Sequence, residues 1–90
     1  MGASEIMTEI LAVFRSRTQA LDCKARLCAM GVAATVIATP SELKIGCGFS
    51  VKYPGRAHNS AKFAIAHSYS TFNGFYAVSR GAGGSFYKKM

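Results

Sequence analysis

Apolar residues fall into separated groups along this chain, and the period of each group predicts an element. Ile10–Phe14 (I-L-A-V-F) is a continuous apolar run of strand length, suited to the middle of a sheet. Ser16 follows, with Gln19 three positions later. That is the spacing of a capping box, in which the serine oxygen accepts from a first-turn N–H and the glutamine reaches back. From about Arg17 to Met30 the spacing turns helical. Ala20, Cys23, Leu27 and Met30 form one arc, Leu21, Ala25 and Cys28 widen it, and Gln19, Asp22 and Arg26 fall opposite. Gly31 is the expected stop, because a helix end often needs a left-handed residue.

Val32–Thr39 is rich in β-branched residues and reads as a second strand, closed by Pro40, which lacks a ladder donor. Residues 41–48 are too long for a tight hairpin and form a structured loop into Phe49–Tyr53, whose alternation marks a half-buried third strand. Pro54-Gly55 reads as a turn. Asn59 or Ser60 caps a second helix running to Tyr69, with a weaker stripe of Ala61, Ala64 and Ile65. Asn73-Gly74 reads as a turn, Phe75–Val78 as the fourth strand, and Gly81-Ala82-Gly83-Gly84 as the start of a flexible tail. The domain therefore spans residues 8–80, with flexible termini at 1–7 and 81–90. Its order, βαββαβ, is the ferredoxin-like plan: an α+β fold with a four-stranded antiparallel sheet and two helices on one face. Right-handed crossovers put the two helix-bearing strands in the middle.

Ninety residues allow one small core. Half are apolar and 17% are charged, a globular balance. The longest nearly uncharged apolar stretch, Met30–Thr39, is far below the roughly 20 residues of a membrane-spanning helix, so no membrane partner is expected. Residues 1–9 hold Glu5 and Glu9 and no cation, unlike the head of a secretory signal. Three cysteines do not make the even set of a secreted disulfide framework, and the expected compartment is the cytoplasm. The formal charge of +7 favours an acidic partner without choosing its class, and Lys88 and Lys89 place two of those charges in the tail.

Cys47 is the residue with chemical promise. Gly46 and Gly48 flank it, so neither neighbour shields the sulfur, and Lys44 and Lys52 are close in sequence. Cations or a helix start lower a thiol pKa, and an accessible thiolate can hold a transferred sulfur as a persulfide. Cys23 and Cys28 lie on or beside the apolar arc of the first helix and read as core residues. Standing five apart on a helix, they point about 140° away from each other, so they cannot share one metal ion. His58 and His67 read as solvated or capping groups, and no cofactor is indicated.

The stretch Pro40-Ser41-Glu42-Leu43-Lys44-Ile45-Gly46-Cys47-Gly48-Phe49-Ser50-Val51 resembles the motif of the putative selenium/sulfur carrier protein-like family. That motif pairs a proline-led polar loop with Cys-Gly and an apolar strand. The resemblance covers about residues 8–80. It implies that Cys47 carries sulfur or selenium, taken from a cysteine desulfurase-type donor and passed to an acceptor protein. Lys24, where relatives more often have an acidic residue, and the strongly positive charge depart from the pattern.

Two other functions fit the same plan. One is single-stranded RNA binding, for which Gly46-Cys47-Gly48-Phe49 partly matches a basic-Gly-aromatic signature. Aromatic residues expected at 47 and 52 are missing, and the cations are scattered, so nucleic acid ranks below the carrier. The other is a homodimeric assembly or regulatory module, its surface formed by Phe49, Tyr53, Phe75 and Tyr76.

Overall fold

In the computed structural model, which describes residues 9–44, 48–66, 68–81 and 84–90, the first apolar run is strand β1 (Glu9–Phe14), buried from Ile10 onward. It is followed by α1 (Arg17–Ala29), β2 (Thr35–Ala38), a 3-10 turn (Ser41–Leu43) and β3 (Phe49–Pro54). A second 3-10 turn (Gly55–Ala57) leads into α2 (His58–Ile65), then β4 (Phe72–Gly81) and β5 (Gly84–Lys89). The sheet order is β2-β3-β1-β4-β5, with every neighbouring pair antiparallel. The helix-bearing strands β1 and β3 are direct neighbours in the middle.

The sheet has five strands, not four. Part of the expected flexible tail is β5, paired with β4 from Gly81↔Gly84 to Tyr76↔Lys89. Gly81 ends β4 and Gly84 opens β5, and Tyr87 packs beside Val78 and the buried residues of the second cluster. Glycine content alone does not separate a tail from a turn, because both need a permissive backbone.

Alternation along β1 divides the interior into two clusters. Ile10, Ala12 and Phe14 join Val51 and Tyr53 of β3 with Ala20, Cys23 and Leu27 of α1 and Ala61 and Ile65 of α2. Both helices therefore cover the same face. Leu11 and Val13 point the other way and pack with Tyr76 and Val78, against which Ile37, Leu43 and Tyr87 rest.

Helix α1 closes as its sequence requires. Gly31 is left-handed (φ +85°), its N–H donates to Cys28 O (3.0 Å), and Val32 N–H donates to Leu27 O (2.9 Å). This six-to-one bond spends Val32 on the helix end, so β2 starts at Thr35 rather than Val32. The widened arc is not buried. Leu21 and Met30 are each 45% exposed, and Ala25 and Cys28 are exposed, because the sheet covers only the stripe of Ala20, Cys23 and Leu27.

Two further expectations change. Helix α2 starts at His58 straight from the 3-10 turn and ends at Ile65, with no side-chain cap from Asn59 or Ser60. Asn73-Gly74 is not a terminal turn but lies inside β4, where the register slips: Phe14 faces Phe72 while Ala12 faces Phe75. One extra residue sits on β4 there, and Gly74 (φ +112°) absorbs it as a bulge.

Candidate functional site

The end of β1 is where separate segments meet. Ser16 has the extended backbone of an N-cap, and its Oγ accepts from Gln19 N–H (3.2 Å). The other half of the expected capping box is replaced by Thr71. Ser16 N–H donates to Thr71 Oγ1 (3.3 Å), while Gln19 Oε1 accepts from Thr71 N–H (3.0 Å) and Thr71 Oγ1 (2.6 Å). Gln19 Nε2 also donates to Ser70 Oγ (3.1 Å), and Arg15 N–H to Thr71 O (3.1 Å). Glutamine is long enough to cross to another segment, so its local and distant partners compete. The distant one wins.

Gly48 packs against the same strand end from the other side. A Cβ built there would lie 2.6 Å from the Phe14 carbonyl oxygen and 3.4 Å from Thr39 Oγ1. No side chain fits against that backbone oxygen. Thr39 N–H donates to Gly48 O (3.0 Å), and Thr39 Oγ1 shares a hydrogen bond with the buried Ser50 Oγ (2.9 Å). This glycine therefore permits a close backbone approach, a role distinct from exposing a neighbouring sulfur.

Gly46 and Cys47 lie outside the described residues. On their N-terminal side, Lys44 is exposed and left-handed (φ 55°), and its N–H closes the 3-10 turn on Ser41 O (3.0 Å). Lys52 is four residues along β3 from Gly48, about 13 Å of strand. Its Nζ stands 4.0 Å from Glu9 Oε2, at the opposite end of β1 from Phe14. Lys52 is thus not brought to the Gly48 end. Arg15 is. It directly follows Phe14, is exposed, and lines a cavity of about 310 Å³ with Ser70, Thr71, Phe72 and Asn73. Sequence proximity to Cys47 pointed to the two lysines; Arg15 follows the residue whose carbonyl Gly48 packs against, and its side chain lines the cavity on the β4 side of that strand end. The first turn of α1 has no acidic residue, so its N–H groups add to the positive character of this end.

The other candidates separate clearly. Cys23 is fully buried, and its thiol is pushed up to about 12 by burial, with Arg26 opposing and Asp22 adding to the rise. It is a core residue, as expected. Cys28 is exposed, contrary to expectation, with Sγ 4.0 Å from Ala34 O. His58 is half-buried; its backbone closes the 3-10 turn Gly55–Ala57, while its side chain turns to the core. Its Nδ1 shares a hydrogen bond with Tyr53 OH (2.7 Å), and its ring meets Phe75 edge-on at 4.7 Å. Burial, helped by nearby Lys62, holds its pKa below the usual imidazole range. His67 lies outside the described residues. No group of three or more His, Cys, Asp or Glu that could hold a metal occurs among the described residues, and no described helix is long and apolar enough to cross a membrane.

The aromatic residues expected on an open sheet face are mostly elsewhere. Tyr53 is buried in the helix-side core, and Phe49 and Phe75 pack against that core, while Tyr76 lies in the cluster on the other face. Of the four residues expected to form a dimer surface, Phe49, Tyr53 and Phe75 lie on the helix side, and Tyr76 lies on the other face at 8% exposure; Phe49, expected to stack a base, is on the helix side as well.

No curated protein matches this chain, and no solved structure does. A family model described as Putative Se/S carrier protein-like matches residues 9–77, a span that runs from β1 into β4 and contains the Gly-Cys-Gly motif and the strand end it precedes. Those residues cover more than half of the chain, and the chain belongs to the Putative Se/S carrier protein-like family.

Proposed function

We propose that this protein is a cytoplasmic sulfur or selenium carrier that holds the transferred atom on Cys47 and works without a cofactor, as a carrier rather than a turnover enzyme. The observation that supports it most is the family match over residues 9–77, which includes Cys47. We further infer that the first four strands follow the ferredoxin-like plan, with β5 as an addition.

In the proposed step the Cys47 thiolate attacks the outer sulfur of a donor persulfide. A new S–S bond forms at Cys47, the donor's S–S bond breaks, and the donor cysteine leaves as its thiolate. The exchange needs no outside oxidant. Handover to an acceptor thiolate is the same exchange in reverse. Gly46 contributes no side chain beside Cys47 in the sequence, and Gly48 packs against the end of β1. Lys44, three residues before Cys47, is the cation we assign to favour the thiolate, and Lys52, beside Glu9, is given no part in it.

Incubation with a cysteine desulfurase and cysteine, followed by intact mass, tests the reading. One added sulfur on the wild-type chain and none on Cys47→Ser is the expected result. No added mass, or equal addition to the variant, removes the proposal.

A further inference from the structure

Helix α1 keeps part of its apolar surface in solvent, and that part is organised. Leu21, Ala25 and Cys28 follow one another at spacings of four and three, so they form one stripe, and all three are exposed. Arg17, four residues before Leu21, and Lys24, three after it, rise on the same side. Both are exposed, and neither side chain has a hydrogen bond or ion pair among the described residues.

The helix has one carboxylate, Asp22, and it is turned the other way. Asp22 Oδ2 accepts from Tyr69 OH (2.6 Å), and beside it Arg26 Nη1 donates to Ala64 O and Ser68 Oγ (3.2 Å each). The internal polar contacts of α1 thus use the acid and leave cations around an apolar stripe. An exposed apolar stripe at helical spacing calls for a partner in a way that scattered single residues do not. The unpaired cations select the partner's charge. A second copy docking through the same stripe would bring Arg17 and Lys24 to a surface with no carboxylate to meet them.

We propose that the outer face of α1 is a docking surface for an acidic amphipathic segment of another protein, with an apolar stripe that meets Leu21, Ala25 and Cys28 and carboxylates that meet Arg17 and Lys24. The surface starts at the helix end beside Phe14, against whose carbonyl Gly48 packs, so a partner seated on it reaches the end of the fold that bears the cysteine motif. Identifying that partner as the sulfur donor or acceptor rests on the carrier reading. The surface itself does not.

The test uses the full chain and two labelled helical peptides with the same leucine stripe, one flanked by glutamates and one by lysines. Fluorescence anisotropy should show binding of the glutamate-flanked peptide alone, weakened by salt. Leu21→Glu and Lys24→Glu should each lower affinity at least about tenfold without loss of helical circular dichroism. The bound peptide should also slow alkylation of Cys28. Absence of binding, equal binding of both peptides, or unchanged affinity in both variants would overturn the surface. The carrier reading is scored separately by intact mass after exposure to inorganic polysulfide, a small donor that needs no docking. Mass gain that depends on Cys47, without peptide binding, overturns the docking surface alone. Peptide binding without that mass gain overturns the carrier reading and leaves the acidic segment as the occupant of α1.

Discussion

The two strand-to-helix turns stand at opposite ends of the sheet and are built differently. From β1 the chain enters α1 through Arg15 and Ser16, with an extended N-cap, a serine oxygen on Gln19 N–H, and Thr71 binding both Ser16 and Gln19. From β3 it enters α2 through the 3-10 turn Gly55–Ala57. The residue before α2, Ala57, has near-helical angles (φ −93°, ψ −1°) and makes no side-chain cap. What holds the second entry is tertiary: the Tyr53–His58 hydrogen bond and the burial of Ala61 and Ile65. A helix start can be specified by a polar cap or by what the helix rests on. Only the first is written in adjacent residues. Here the capped turn is also the one that receives Gly48, so the motif end rests on the better-defined of the two.

Gly48→Ala should affect the first turn most. Its methyl would press on the Phe14 carbonyl, a backbone atom that cannot swing aside, and a loss of about 2–3 kcal/mol is expected in chemical denaturation. A neutral result would mean that the motif does not pin the end of β1. Next is Thr71→Val, which keeps the shape and removes the hydroxyl that serves Ser16 and Gln19; about 1–2 kcal/mol should be lost, and Thr71→Ser should recover most of it. Ser16→Ala should cost about 1 kcal/mol, with faster amide exchange at Gln19 than anywhere in α2.

At the second turn the handle is pH. His58 has a lowered pKa in the folded state, so the unfolded chain binds its proton first. Its contribution is complete above the ordinary value of 6.5 and is lost as pH falls through the lowered folded value. Midpoints of urea unfolding should therefore decline with acid in that window, and His58→Gln should flatten the decline; an unchanged slope would detach His58 from the second entry. The smallest effect is expected from Ala57→Ser. Because residue 57 lacks the extended backbone of a cap, the new hydroxyl should change stability by no more than about 0.5 kcal/mol. A gain of a full kcal/mol would show that α2 lacks only a cap, and the contrast between the turns would fail.

Much of the first half was legible because its signals are local. The run Ile10–Phe14, the Ser16 cap, the Ala20–Cys23–Leu27 stripe and the Gly31 stop each act within a few residues, and all four are present. Errors cluster where a residue's partner is distant. Gln19 binds Thr71 rather than its own turn, Tyr69 leaves the second helix for Asp22, and Asn73-Gly74 continues β4 because β1 offers it a partner. The candidate site divides the same way. The Gly-Cys-Gly spacing was visible at once, whereas the placement of Lys52 beside Glu9 and of Gly48 against the Phe14 carbonyl came only from the strand register.

From the chain of residues alone came the α+β order through the fourth strand, the limits of α1 and the identity of the motif cysteine, since periodicity and caps act over distances shorter than one turn or strand. Tertiary structure alone decided that a fifth strand closes the edge, that half of the apolar arc of α1 remains in solvent, and that the motif glycine needs space at a foreign carbonyl. Each of those depends on how much surface a neighbouring element can cover or how closely it can approach. Hydrophobicity states that a side chain prefers burial, and only the shape of the sheet determines whether there is room for it.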